Sequence, residues 1–312
     1  MTPLEVIVTV PPHADFLEEV ARHPAVTGLR LNTVMPLAEP VEAALARLAA
    51  LGPPLWIDLK GRQLRVREAA VPPFTAVRLS HRVRVRTPTR ALFGDGREEV
   101  RVLAVDGDRL VLEDGPRRVL GPGEAVNIPD ASLVVEGGLT ATDREYLAAA
   151  RALGLCDVML SFVEGGQDVE EVLRLHPQAR VVAKVESRRG LAWARAGAPG
   201  PQTRLMAARG DLFLELHQPH HLPRALRAVV STDPAAIAAS RLLSSLAWGE
   251  GPTAAEVTDV AYLLALGYRA LMLGDAVCLR RESVLDALDL VEALAREAPR
   301  PSAARPVAAS AR

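Results

Sequence analysis

The sequence predicts an α/β fold, a (β/α)8 TIM barrel carrying a small antiparallel β domain after its third strand. Two observations predict it. Short runs rich in Val, Ile and Leu alternate with amphipathic stretches, the pattern of strands joined by helices in a parallel sheet. One long interruption, from about Gln63 to Asn127, replaces that rhythm with two-residue alternation and closely spaced turn signals.

Taken in order, the expected strands are LEVIVTV (4–10), GLRLNTV (28–34), PLWIDLK (54–60), CDVMLSFV (156–163), ARVVAKVE (179–186), TRLMAAR (203–209), AAIAAS (235–240) and ALMLGD (270–275). Helical periodicity follows each one, in HADFLEEVARH, EPVEAALARLAAL, TDREYLAAARAL, DVEEVLRLH, RRGLAWARA, LPRALRAVV, TAAEVTDVAYLLALG and SVLDALDLVEALARE. Eight such units make a barrel. The interruption contains AVRLSHRVRVR and EEVRVLAVDGDRLVLE, with turns expected at Gly94-Asp95-Gly96, Asp106-Gly107 and Asp114-Gly115. Residues 1–62 and 128–298 are therefore expected to form the barrel, and 63–127 the inserted lid domain. The stretch 299–312, rich in Pro, Ala, Ser and Arg, is expected to be a disordered tail.

Composition narrows the function classes. A chain of 312 residues, 49% hydrophobic, can bury a large core. A formal charge of -1 and a pI near 6.7 give no basic field to recruit nucleic acid or an anionic membrane. Cys156 and Cys278 lie in apolar runs and read as reduced core thiols. MTPLEVIVTVPP has no basic leader, and no later apolar stretch approaches membrane-spanning length. A cytoplasmic protein with small-molecule partners is expected, and a homo-oligomer is left open. Of 37 basic residues only Lys60 and Lys184 are lysines, and the other 35 are arginines. Where arginine serves elsewhere, a retained lysine points to a need for a compact point charge.

In β/α barrels the carboxyl ends of the strands carry the chemistry. Residues two apart on a strand share a face, which pairs Arg30 with Asn32, Asp58 with Lys60, and Lys184 with Glu186. Asp211 follows the sixth strand, beside Glu186, and the two carboxylates suit a shared hard cation, Mg²⁺ or Mn²⁺, better than zinc. Gly210 is expected to provide a flexible turn whose backbone N–H groups can meet an anion. A buried Lys-x-Glu is also the pattern of a neutralised ion pair, and that alternative stays open. His217, His220 and His221 lack an acidic or cysteine partner at metal-ligand spacing and read as a loop cluster. Arg82, Arg84 and Arg86 read as a solvated strand face.

The placed residues resemble the pyruvate kinase family, collinearly and over most of the chain. GLRLN (28–32) is similar to the family's ARLN segment, and IDLKG (57–61) to DTKG. DGDRLVLE and LGPGEAVNIP resemble the end of its lid domain, and LTATDREYLAAARALGLCDVMLSFVEGGQDVEEV the segment that usually contains a DxxDL helix and SFVR. AKVES resembles AKIEN, MAARGDLFLEL resembles MVARGDLGVEI, ASRLLSSL resembles ATQMLESM, and PTAAEVTDVA resembles PTRAEVSDVA.

The resemblance implies a Mg²⁺-dependent transfer of phosphate from phosphoenolpyruvate to ADP, giving pyruvate and ATP. Arg30 would bind the phosphate, Lys184 would stabilise the phosphoryl group in flight, and Glu186 and Asp211 would hold the metal. Backbone groups of Ala208, Arg209 and Gly210 would receive the carboxylate, and Ser240 falls where the family links a threonine to enolate protonation. Thr9, Pro12, Asn32 and Arg65 would lie at the nucleotide end. Asn32 and Asp58 fall among the ligands of a monovalent cation. Several positions depart from the pattern. Thr33, Val34, Met35 and Pro36 replace F-S-H-G, Leu59 replaces a threonine, Glu164 reverses the SFVR arginine, Ser244 replaces a glutamate and Pro11 a glycine. A potassium requirement is therefore not carried over. The lid is shorter than the family's, and no regulatory C-terminal domain is expected after the barrel. The eroded nucleotide end keeps two other expectations in play: a Mg²⁺-dependent lyase or aldolase working through a pyruvate enolate, and a non-catalytic binder of phosphoenolpyruvate or an oxo-acid.

Overall fold

The computed structural model describes residues 4–197 and 199–297, so the tail expected at 299–312 lies outside the described residues. Eight parallel strands close into a barrel: β1 (Glu5–Thr9), β2 (Val26–Asn32), β3 (Leu55–Leu59), β4 (Asp157–Leu160), β5 (Arg180–Val185), β6 (Thr203–Ala208), β7 (Ile237–Ala239) and β8 (Ala270–Leu273). Each pairs with its sequence neighbours and β8 closes on β1. The α/β barrel expected from the sequence is the fold.

Period-two alternation sorts the side chains. On β5, Val181, Ala183 and Val185 belong to the core between strands and helices, whereas Val182 faces the barrel interior with Ile7, Met159, Met206, Ile237 and Met272. Lys184 follows Val182 by two residues and so emerges inside the barrel, one layer higher. The same phase puts Thr9 above Ile7, Ser161 above Met159, and Asp58 above Trp56. Gly28 makes the lower layer fit: a Cβ there would stand 3.1 Å from the Trp56 indole nitrogen and 3.3 Å from Ile7.

The helices that wrap the barrel are α1 (Leu17–Arg22), α2 (Val41–Ala49), α3 (Ala141–Ala152), α4 (Gly166–Leu175), α5 (Arg188–Ala196), α6 (Arg209–Glu215), α7 (Leu222–Thr232), α8 (Ala254–Leu266), α9 (Asp275–Cys278) and α10 (Arg281–Glu297). Capping boxes start α3 at Thr140 with Asp143 and α8 at Thr253 with Glu256. Two helices go beyond the eight expected, α6 and α9. Gly210, expected in a flexible turn, lies in the first turn of α6. The chain enters that helix directly from β6, with Asp211 in the first turn, where a carboxylate complements the helix dipole. His220 and His221 likewise sit in a short 3-10 turn, Pro219–His221.

Between β3 and β4 lies the small β domain. Strands Ala76–Arg78, Arg109–Leu112, Glu98–Asp106, Thr89–Phe93 and Val126–Asn127 form a five-stranded antiparallel sheet in that order. A further pair joins Val83–Arg84 to Val134–Val135, past residue 127. This domain has its own core, centred on Leu79, Phe93, Val102, Leu110, Leu112 and Leu120. It also touches the barrel's carboxyl-end rim. A Cβ on Gly96, whose φ is +83°, would come within 2.5 Å of Leu214 on α6, so the Gly94–Gly96 turn seats its backbone on that helix.

Candidate active site

Asp58 is the hub of the rim. Its side chain is 0% exposed, and three cations converge on it. Arg30 donates through Nε at 3.0 Å and through Nη2, Lys60 Nζ lies at 3.1 Å, and Lys184 Nζ at 3.2 Å. These charges hold the Asp58 carboxyl well below the usual carboxylate range although burial pushes the other way. Lys60 carries the opposite strain. Burial, aided by Lys184 and Arg65, lowers its ammonium to about 7 against the pull of Asp58.

Lys184 bridges from this hub to the acidic side. Its ammonium donates to Ser161 Oγ at 2.9 Å and stands 3.2 Å from Glu186 Oε1. Burial opposes its charge, but Asp58 and Glu186 outweigh that and raise its pKa. Glu186 is anchored by the Phe162 backbone N–H, which donates to Oε2 at 2.7 Å; Phe162 has φ +51°, a sharp turn just past β4. Asp211 accepts a hydrogen bond from Asn127 Nδ2 at 3.1 Å, and the same amide reaches Glu215 Oε1 at 3.4 Å. Glu215 follows Asp211 by four residues, one helical turn along the same face of α6.

The acidic side wants a cation. Burial pushes Glu186 up to about 7, with Asp211 acting in the same direction and Lys184 against it. Burial also raises Asp211, and it raises Glu215 to about 7. Two buried carboxylates, one of them further discouraged from ionising by the other, fit a divalent ion. Among the described residues no three His, Cys, Asp or Glu side chains gather as a closed metal cage. A Mg²⁺ ion takes one or two carboxylates and fills its remaining positions with water and substrate oxygens. A monovalent cation fits poorly at Asn32 and Asp58. The Asp58 carboxylate is engaged by Arg30, Lys60 and Lys184, its backbone carbonyl accepts from Thr33 Oγ1 at 2.8 Å, and Asn32 Oδ1 accepts from the Val34 N–H at 3.3 Å.

The remaining expected residues divide. Thr9 Oγ1 accepts from Arg30 Nη1 at 2.9 Å and donates to the Leu273 carbonyl at 3.0 Å, so it belongs to the cluster. Asn32 joins through Asp275, to which its amide donates at 2.9 Å. Ser240 has φ +73° and lies against Gly210, its Oγ 3.6 Å from where a Cβ would be. The Arg209 side chain runs to α8 and to the bend after β7. It pairs with Asp259 at 2.7 Å and donates to the Ser240 carbonyl at 2.8 Å, which braces that left-handed bend. Pro12 offers its carbonyl to Arg47 at 3.0 Å, and Arg65 donates to the Gly123 carbonyl and the Gln63 side chain of the lid's base.

A family model for the pyruvate kinase barrel domain matches residues 76–278. The chain belongs to the pyruvate kinase family. Among curated relatives, a pyruvate kinase of Agrobacterium vitis is 35% identical over 187 residues, covering 58% of this chain and 38% of the relative. One from Mycobacterium tuberculosis is 34% identical over 194 residues (59% and 40%), and pyruvate kinase 2 of Synechocystis is 30% identical over 236 residues (70% and 39%). These matches span about two fifths of the relatives' length. Lys184, Glu186, Asp211 and Ser240 fall inside the family-matched stretch, while Arg30, Asn32 and Asp58 precede it.

Sequence reasoning passed over Asp275, Ser161, Asn127 and Glu215 as site residues. The rule that found Lys184 applies equally to Ser161, two residues beyond Met159, and the four-residue spacing from Asp211 marks Glu215. Asn127 left no local signal, because its partners lie 84 and 88 residues away.

Proposed function

We propose that this chain transfers the phosphoryl group of phosphoenolpyruvate to ADP or another nucleoside diphosphate, with Mg²⁺ or Mn²⁺, releasing pyruvate. The observation that carries this reading is Lys184, a buried ammonium held between Asp58 and Glu186 within electrostatic reach of Asp211 and Arg30. Phosphoryl transfer asks a protein for alignment and charge neutralisation more than for covalent chemistry, and fixed cations on one side of a paired-carboxylate site supply both.

In this reading Arg30 binds the phosphate and Lys184 neutralises charge on the phosphoryl group as it moves. The backbone of Ala208, Arg209 and Gly210, at the start of α6, receives the carboxylate, and Ser240 lies where a proton reaches the enolate carbon. Glu186 and Asp211 would hold the divalent ion, which when bound supplies positive charge against phosphoryl and enolate oxygens. Thr9, Pro12, Asn32 and Arg65 form the nucleotide end. Potassium is given no role, because the oxygens of Asn32 and Asp58 are already engaged by protein donors.

One observation favours a second reading. At the nucleotide end Arg65 is tied to the Gly123 carbonyl, and a Cβ on Gly123 would stand 3.0 Å from Val34, so the lid turn closes directly on the loop after β2. A Mg²⁺-dependent lyase acting through a pyruvate enolate would use the same carboxylates without a nucleotide. Calorimetric titration separates the two. Binding of phosphoenolpyruvate and of ADP, each strengthened by Mg²⁺, is expected for the kinase. Oxalate and pyruvate binding with no ADP binding, together with nucleotide-independent exchange of the pyruvate methyl protons, would replace it with the lyase.

A further inference from the structure

Asp275 lies two residues past β8, and its carboxylate bridges Arg30 and Asn32. Oδ1 accepts from Arg30 Nη1 at 2.6 Å and Oδ2 from Asn32 Nδ2 at 2.9 Å. The other edge of the Arg30 guanidinium, Nε and Nη2, is fixed on Asp58. The two carboxylates differ in freedom. The Asp58 side chain is 0% exposed, whereas that of Asp275 is 41% exposed. Gly274, between Asp275 and the strand, has nothing within 4 Å of where a Cβ would be, and its carbonyl accepts from the Cys278 N–H at 3.3 Å, so Asp275 is the first residue of α9.

Arg30 therefore meets two carboxylates before any ligand arrives, Asp58, which it shares with Lys60 and Lys184, and Asp275. A carboxylate and a phosphate compete for the same N–H groups, and a like charge near the incoming phosphate weakens its binding. We propose that Asp275 is a specificity-determining residue, an internal anion that occupies the phosphate position of Arg30 and yields it to a phosphate-bearing ligand. This inference rests on the reading of Arg30 as the phosphate-binding residue. A phosphate dianion displaces the Asp275 carboxylate from Arg30 by outcompeting it, whereas a ligand with carboxylates alone binds on the α6 side and leaves the Arg30–Asp275 pair in place. Asp275 thus selects for phosphate at one end of the site.

The test is calorimetric titration of the Mg²⁺-loaded full chain with phosphoenolpyruvate, inorganic phosphate and oxalate, comparing the wild type with Asp275→Asn. A second variant, Asp275→Ser, guards against a local effect of the new amide. Both variants are expected to bind phosphoenolpyruvate and phosphate about tenfold more tightly, with oxalate affinity within about twofold. Equal or weaker binding of the phosphate-bearing ligands by the variants would show that Asp275 only positions Arg30, which overturns the inference and leaves the proposed function standing. Absence of phosphoenolpyruvate and phosphate binding in every protein would instead remove Arg30 as a phosphate residue, and the inference with it.

Discussion

Three cationic side chains, those of Arg30, Lys60 and Lys184, share the buried carboxylate of Asp58. Removing one member of a buried charge cluster leaves the others uncompensated, at a cost of roughly 3–5 kcal/mol. Asp58→Ala is expected to lower stability by about that amount in urea unfolding, far more than a surface carboxylate would. Glu186 offers a pH test. Burial first, and Asp211 second, raise its carboxyl to about 7 in the folded protein, against a usual value of 4.5. Between those two values the folded, metal-free protein holds a proton that the unfolded chain has lost. Stability from this group is thus fully present below the lower value, declines as pH rises through the window and is flat above about 7. Mg²⁺ requires the deprotonated form, so its affinity is expected to rise from pH 6 to pH 8 with proton release. Titrations in two buffers of different ionisation enthalpy measure this, and Glu186→Gln is expected to abolish both the pH slope and most of the binding.

The elements show why these residues meet. Strand phase alone places Lys184 over Val182 and Asp58 over Trp56, and alternation with period two is visible in a sequence. The cluster on β2, β3 and β5 was legible for that reason. Asp275 escaped because alternation along the expected strand 270–275 puts it out of phase with the interior-facing Met272, whereas the strand ends at Leu273 and Asp275 opens α9. Gly210 was misjudged for a related reason: glycine signals a turn locally, but entry from β6 into α6 holds it in a helix. Two predictions belong to this scale. Asn127 joins the last lid strand to Asp211 on α6, the proposed metal ligand, and removing an outer partner of a ligand typically weakens metal binding 10- to 100-fold. Asn127→Ala is expected to reduce Mg²⁺ affinity by about that factor with unchanged circular dichroism. Thr253 caps α8 by accepting from the Glu256 N–H at 3.3 Å, and Thr253→Ala is expected to cost about 1 kcal/mol in denaturant unfolding.

At the scale of the whole molecule, the lid and the barrel have separate hydrophobic cores. The lid core is built around Phe93 and Leu110, and the barrel interior around Met159 and Met206. The chain leaves β3 for the lid and returns to β4, so Asp58 and Lys60 stand at the lid's entrance and Asn127 near its exit. Among the described residues no helix is long and apolar enough to cross a membrane. Phosphoryl transfer at Lys184 is the proposal that the buried ammonium between Asp58 and Glu186 supports best. The direct measurement is pyruvate formation from phosphoenolpyruvate, followed by coupling to lactate dehydrogenase with several nucleoside diphosphates. ADP- and Mg²⁺-dependent pyruvate formation, reduced about 10²- to 10³-fold in Lys184→Met, is the predicted result. No pyruvate from folded, Mg²⁺-loaded protein with any nucleoside diphosphate would contradict it.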